Sequence, residues 1–167
     1  MSAQSNVVGH VLAFLIDSYL LFDPFILQKT DCMDNNDVRW KQRFQNFEKA
    51  LLHLESALHL SDPDMLQKAG IIQFFEMSYE LAWNTLKDYL EEQGFVDVKT
   101  PRSAIKKAFE IGMIEDGHSW MELIVDRNLT SHAYDEEIAT EVEKLIHQKY
   151  YPLFSVLYTT LKLQLND

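Results

Sequence analysis

The strongest constraint on the fold is a run of apolar residues between Arg39 and Leu60. Trp40, Phe44, Phe47, Leu51, Leu54 and Leu58 recur there at spacings of 4, 3, 4, 3 and 4. An α-helix turns about 100° per residue, so this rhythm lines them along one narrow seam that must face partner helices. Alternation, the mark of a half-buried strand, is missing. The next segment repeats the demand. "SDPD" (Ser61 to Asp64) supplies a cap and a proline that open a second helix, in which Ile72, Phe75, Tyr79, Ala82, Trp83, Leu86 and Leu90 mark a buried stripe and Gly94 a stop.

Further on, Thr100-Pro101 starts a short helix that runs through about Phe109 and ends near Gly112. Gly117-His118 is the next break. A fourth helix is expected from about Ser119, with Trp120, Leu123, Ile124 and Leu129 apolar, fading near Ser131-His132. The last long helix starts near Asp135, where Asp135, Glu136 and Glu137 suit the positive end of a helix dipole. Pro152 is expected to kink or split it. No hairpin, internal repeat or low-complexity tract interrupts the pattern. Long helices on short loops predict an all-α, antiparallel up-and-down bundle of four or five helices.

Composition narrows the function classes. With 167 residues, 47% of them hydrophobic and 25% charged, the chain can bury a real core as one domain. Its formal net charge of −11 argues against gripping nucleic acid by blanket electrostatics, though a few placed cations could still contact RNA locally. A single cysteine, Cys32, allows neither an intrachain disulfide nor a cysteine-built zinc site, and fits a reducing cytoplasm. Residues 1–32 are apolar but broken by Gly9, His10, Asp17, Asp23 and Pro24, so no run reaches the ~18 residues of a membrane span. No Lys or Arg precedes that stretch, as a signal peptide would want. It reads as an upstream-start extension or an extra helix, with the domain proper over residues 33–167.

Most site chemistries are missing. There is no glycine-rich phosphate loop, and no Gly-Ser pair followed by spaced aspartates, so the chain is not itself a nucleotidyltransferase or a P-loop enzyme. Glu115 and His118 form a lone Glu-x-x-His in a predicted loop, which makes no di-metal site. His53, His59 and His147 read as surface or boundary histidines. Nothing calls for a metal or cofactor.

One stretch stands apart, "RNLTSHAY", with Arg127, Asn128, His132 and Tyr134 within eight residues. Arginine can fork two hydrogen bonds onto a phosphate, and histidine exchanges a proton near neutral pH. In principle the pair suffices for metal-free RNA cleavage: the base draws the 2′-hydroxyl proton and the cation steadies the phosphoryl charge. On a regular α-helix, however, Arg127 and His132 point about 140° apart, whereas Asn128 and His132 share a face. Either the helix loosens at Thr130-Ser131 or a second copy completes the site across a two-fold interface; the second is expected. Arg-x4-His alone would arise by chance in about one chain in seven of this composition, so the spacing by itself is weak. The residues alone leave two readings open, a working site or a solvated helix face with Tyr134 capping the core.

At these residues the chain resembles HEPN-domain proteins, specifically the HepT-like branch, also called nucleotidyltransferase substrate-binding proteins. Its signature Arg-x4-His-x-Tyr is met by Arg127, His132 and Tyr134, with Asn128 in the polar position after the arginine. "VRWKQRFQNFEKALLHLESAL", "FFEMSYELAWNTLKDYL" and "TPRSAIKKAFEIGMI" resemble the family's earlier helices, so the likeness covers roughly residues 34–165. The resemblance implies a homodimer working beside a small nucleotidyltransferase. In toxin–antitoxin members the HEPN protein is a metal-independent ribonuclease; by that resemblance Arg127 and His132 would line the cleft between protomers, with Asn128 as a third candidate catalytic residue. The partner silences such toxins by transferring AMP to the motif tyrosine, here Tyr134. Two alternatives stand beside this: a non-catalytic substrate-binding or regulatory subunit of a nucleotidyltransferase, and a helical interaction module without activity.

Overall fold

The computed structural model describes residues 35–165, with the side chains from Arg39 onward, and all regular structure among them is helical. The expectation for residues 1–32 lies outside the described residues. The elements are α1 (Asn35–Leu58), α2 (Met65–Glu92), α3 (Pro101–Glu110), α4 (Gly117–Asp126), a 3-10 segment (Arg127–His132), α5 (Glu136–Leu145), a π-helical segment (Ile146–Tyr150) and α6 (Tyr151–Leu163). The expected all-α bundle is the architecture observed. None of the described helices is long and apolar enough to cross a membrane.

The seam of α1 is buried as its spacing demanded: Trp40, Phe44, Phe47, Leu51 and Leu54 are in the core, with Leu58 packed at its edge. It meets α2 in antiparallel register, since Arg39 reaches Asp88 at one end while His53 stacks on Phe74 further along. Asp64 caps α2 through a capping box with Gln67. At the other end Gly94 takes φ +89°, and Phe95 N–H closes back onto the Leu90 carbonyl at 3.0 Å. That left-handed stop suits glycine, which has no Cβ to clash. All of the expected α2 stripe is buried except Trp83, which is half-buried.

Thr100 caps α3 with Ser103, and Pro101 occupies the first turn, where a missing N–H costs nothing. The following helix starts two residues earlier than expected. Asp116 is the cap of α4, accepting from Ser119 N–H at 2.9 Å, so Gly117 and His118 are already helical. A Cβ on Gly117 would meet the Phe109 ring at 3.0 Å, so glycine lets α4 start against the end of α3.

Asp135 caps α5 through Glu137 and Ile138 N–H. The last rod then runs from Glu136 to Leu163 with the π segment set just before Pro152. Proline has no N–H and its ring crowds the carbonyl four residues back, and one widened turn accommodates both. The chain neither breaks nor restarts there. Phe75 of α2 stacks on Tyr150 and Phe154, and Tyr89 donates to Gln164, so this rod runs in the same direction as α2. Against α1 it is antiparallel: Phe47 meets Phe154 while Phe44 stacks on Tyr158. The short α3 and α4 carry the chain back to make that possible. Phe154 sits where the pieces meet, against Phe47, Phe75 and Trp120.

Candidate functional site

The "RNLTSHAY" stretch leaves the α-helix at once. The helix α4 ends at Asp126, and Arg127–His132 is a 3-10 segment, so the chain leaves the α-helix three residues before Thr130 and tightens there rather than loosening. Local chemistry favours it. The Thr130 and Ser131 hydroxyls donate to the carbonyls three residues back, Arg127 and Asn128, each at 2.7 Å. A three-residue turn sets Arg127 above Thr130, Asn128 above Ser131, and Leu129 above His132. The four-residue pairing of Asn128 with His132 expected for an α-helix is therefore not the register adopted.

Packing anchors both ends of the junction. Trp120 and Leu123 bury α4 in the core. Asp126 accepts a hydrogen bond from the Tyr150 hydroxyl of the π segment. Burial first, and then that carboxylate, push the Tyr150 phenol well above its ordinary range. Lys149, one residue earlier, donates to Glu122 at 2.5 Å, so α4 is tied to the π segment twice.

Arg127 turns toward α2. Its Nη2 lies 3.0 Å from Glu80 Oε1, and its guanidinium carbon lies 5.2 Å from the centre of the Tyr79 ring. The other Glu80 oxygen accepts from Trp83 Nε1–H at 2.8 Å. One turn earlier on α2, Glu76 accepts from the Thr130 hydroxyl at 2.6 Å. That single proton serves either Glu76 or the Arg127 carbonyl at a given moment. Burial raises the Tyr79 phenol to about 12, with the Arg127 charge pulling the other way. Arg127 keeps 31% of its side-chain surface open, so it is braced yet reachable.

His132 and Tyr134 are brought together separately. Both are exposed, Tyr134 at 81%, and their rings meet edge to face with centroids 6.3 Å apart. Tyr134 does not cap the core. Asn128 is exposed as well. Val125 at the end of α4 and Leu129 in the 3-10 segment stay exposed, at 56% and 38%, and Leu129 thus falls outside the core that its place in the apolar pattern suggested. Among the described residues, no group of three or more His, Cys, Asp or Glu is placed to hold a metal ion.

Sequence reasoning missed Tyr79, Glu80 and Trp83 as neighbours of the motif. A signal was present: Glu76 and Glu80 are two carboxylates four residues apart, set among Phe74, Phe75, Tyr79 and Trp83. Residues at that spacing share a helix face, and acids embedded in an aromatic run need a polar partner from elsewhere.

Residues 42–163 match the family model of nucleotidyltransferase substrate binding protein-like sequences. The chain is 34% identical over 84 residues to the probable ribonuclease HepT of Haemophilus influenzae, a match covering 44% of this chain and 53% of that protein. The chain thus spans about half the length of this curated relative. A crystal structure from Thermus thermophilus superposes with a TM-score of 0.61 at 28% identity, over 72% of this chain and 99% of that one. A second solved structure, from Haemophilus influenzae, is described as revealing the fold of a substrate binding domain of a nucleotidyltransferase. It superposes with a TM-score of 0.55 at 27% identity, over 77% of this chain and 99% of that one.

Proposed function

The chain belongs to the nucleotidyltransferase substrate binding protein-like family, and from that premise we propose that it is a HepT-like toxin, a metal-independent endoribonuclease held in check by a partner nucleotidyltransferase. The observation that carries the reading is the placement of Arg127, His132 and Tyr134. A braced but accessible cation, an exposed imidazole and an exposed phenol stand on one short segment. The ribonuclease name of the Haemophilus relative supports the same choice.

In this mechanism His132 takes the proton from a ribose 2′-hydroxyl, whose oxygen attacks the adjacent phosphorus. Arg127 donates to the non-bridging oxygens as charge gathers on them, and Asn128 adds a neutral donor nearby. The bond from phosphorus to the 5′-oxygen breaks, and that oxygen takes up a proton from an imidazolium or from water. The products are a 2′,3′-cyclic phosphate and a 5′-hydroxyl. A two-fold dimer would set two such segments across one cleft, and the exposed Val125 and Leu129 offer apolar surface for that pairing. Transfer of AMP from ATP to the Tyr134 hydroxyl, with pyrophosphate released, would place bulk and negative charge beside the site and repel RNA.

The test is cleavage of RNA by the purified chain in a chelator. Wild-type activity lost in Arg127→Ala and in His132→Ala supports the reading, and an inactive wild type overturns it. Incubation with the partner enzyme and ATP should add AMP mass that Tyr134→Phe abolishes.

A second reading, a non-catalytic subunit of the nucleotidyltransferase, is favoured by the Arg127–Glu80 ion pair, which offsets part of the cation's charge in an already acidic chain. It is chosen if the chain binds the partner enzyme tightly and leaves RNA intact.

A further inference from the structure

We propose that Glu80 is the positioning residue of Arg127, and that its carboxylate, held in turn by Trp83, sets where the arginine can meet a phosphate. The inference rests on the ribonuclease reading for its catalytic consequence, while the geometry behind it stands independently.

Arginine is long and rotamer-rich, so a cation required at a defined point in a transition state has to be held there. Here α2 provides the holder. Glu80 Oε1 takes Arg127 Nη2 at 3.0 Å, and the Tyr79 ring underlies the guanidinium at 5.2 Å. Glu80 is fixed from its other side by the Trp83 indole N–H at 2.8 Å, so both of its oxygens are committed. The three α2 residues fall within two helical turns and reach a segment almost fifty positions later in the chain. A guanidinium has five N–H donors, and the open part of this side chain lets phosphoryl oxygens approach it while Glu80 holds Nη2. The same carboxylate could instead compete with phosphate for the arginine. The two roles predict opposite signs, because a competitor slows catalysis and its removal speeds it.

The experiment compares wild type, Glu80→Ala, Glu80→Gln and Trp83→Phe, each with its melting temperature. Steady-state cleavage of a short RNA should show kcat down about 30- to 100-fold in Glu80→Ala with KM changed less than about threefold. Glu80→Gln, which keeps one acceptor oxygen, should recover part of that loss. Trp83→Phe should lose about three- to tenfold. A second readout needs no activity: the Arg127 Nε–H signal in nitrogen-15 NMR, assigned by its disappearance in Arg127→Lys. A braced guanidinium gives a dispersed, slowly exchanging signal that Glu80→Ala should collapse to the averaged position. Wild-type kcat in a folded Glu80→Ala, or a rate above wild type, overturns the proposal. So does an Arg127 signal unmoved by that variant, whether or not RNA is cut. If wild type cuts no RNA while the signal collapses as expected, the ribonuclease reading falls and the positioning contact stands.

Discussion

Replacing Asp88, the buried charged side chain among the described residues, with asparagine should cost more than any change to the exposed or half-buried charges around it. Asp88 lies on α2 with 2% of its side chain exposed, and three cations converge on it. Arg39 contacts both oxygens, at 2.9 and 3.1 Å, Arg43 Nε lies at 3.0 Å, and Lys87 Nζ at 3.7 Å. Asparagine keeps the shape but turns one oxygen into an N–H₂ facing guanidinium donors, and leaves the cations without their counter-charge. Breaking a buried pair this way costs about 3–5 kcal/mol. The arginines retain 49% and 28% of their side-chain exposure and can regain water, which puts the cost at the lower end, about 3 kcal/mol. A domain of roughly 130 residues has an unfolding entropy near 0.27 kcal/mol per kelvin, so Tm should fall by about 11 °C. Scanning calorimetry and urea unfolding on the same protein measure it. The deficit should persist at high salt, because a desolvated carboxylate is poorly screened. Lys107→Ala, which removes the exposed pair with Glu110, should leave the melting curve in place. A fall of less than about 3 °C for Asp88→Asn would refute the argument that burial makes this cluster matter.

Phe154→Ala should lose about 4 kcal/mol in urea unfolding, because the side chain is fully buried against Phe47, Phe75 and Trp120, and Phe154→Leu should lose well under half of that. Alkaline unfolding carries a signature of Tyr79. Its folded phenol titrates near 12 against an ordinary value near 10, so its contribution is fully present below pH 10 and is lost as pH rises through 12. The contribution is on the order of 2 kcal/mol, and Tyr79→Phe, which keeps the ring under Arg127, should make the stability profile less steep between pH 10 and 12, the slope that remains coming from Tyr150, whose phenol is also held above its ordinary range. An unchanged slope in that variant would assign the alkaline loss to other groups.

Much of the fold was legible before any coordinates. The α1 seam and the α2 stripe could be read because a 3.6-residue period in large apolar side chains has one economical solution, burial along a helix face. Helix starts were legible for the same local reason. Asp64, Thr100 and Asp135 each satisfy orphan N–H groups within three residues, so the information sits beside the boundary it marks. The cap at Asp116 was misplaced by two residues because the glycine after it looked like a break, when its role is to let α4 approach Phe109.

The candidate site divides along the same line. Its residue types, Arg127, Asn128, His132 and Tyr134, were readable from the sequence together with the chemistry they could support. Its geometry was not. Whether Thr130 and Ser131 tighten the chain or ride an α-helix depends on small backbone differences that distant packing tips, here Tyr150 on Asp126 and Glu76 on Thr130. The pairing of Arg127 with Glu80 and Tyr79 joins residues almost fifty positions apart, and no periodicity encodes a contact of that separation. The sequence by itself determined which faces must be buried and which side chains could do chemistry, because both follow from local spacing and residue type. Only the tertiary structure decided that the last rod runs parallel to α2, that the motif is a 3-10 segment, and that its arginine is braced by a carboxylate, because each depends on surfaces that meet once the bundle has closed.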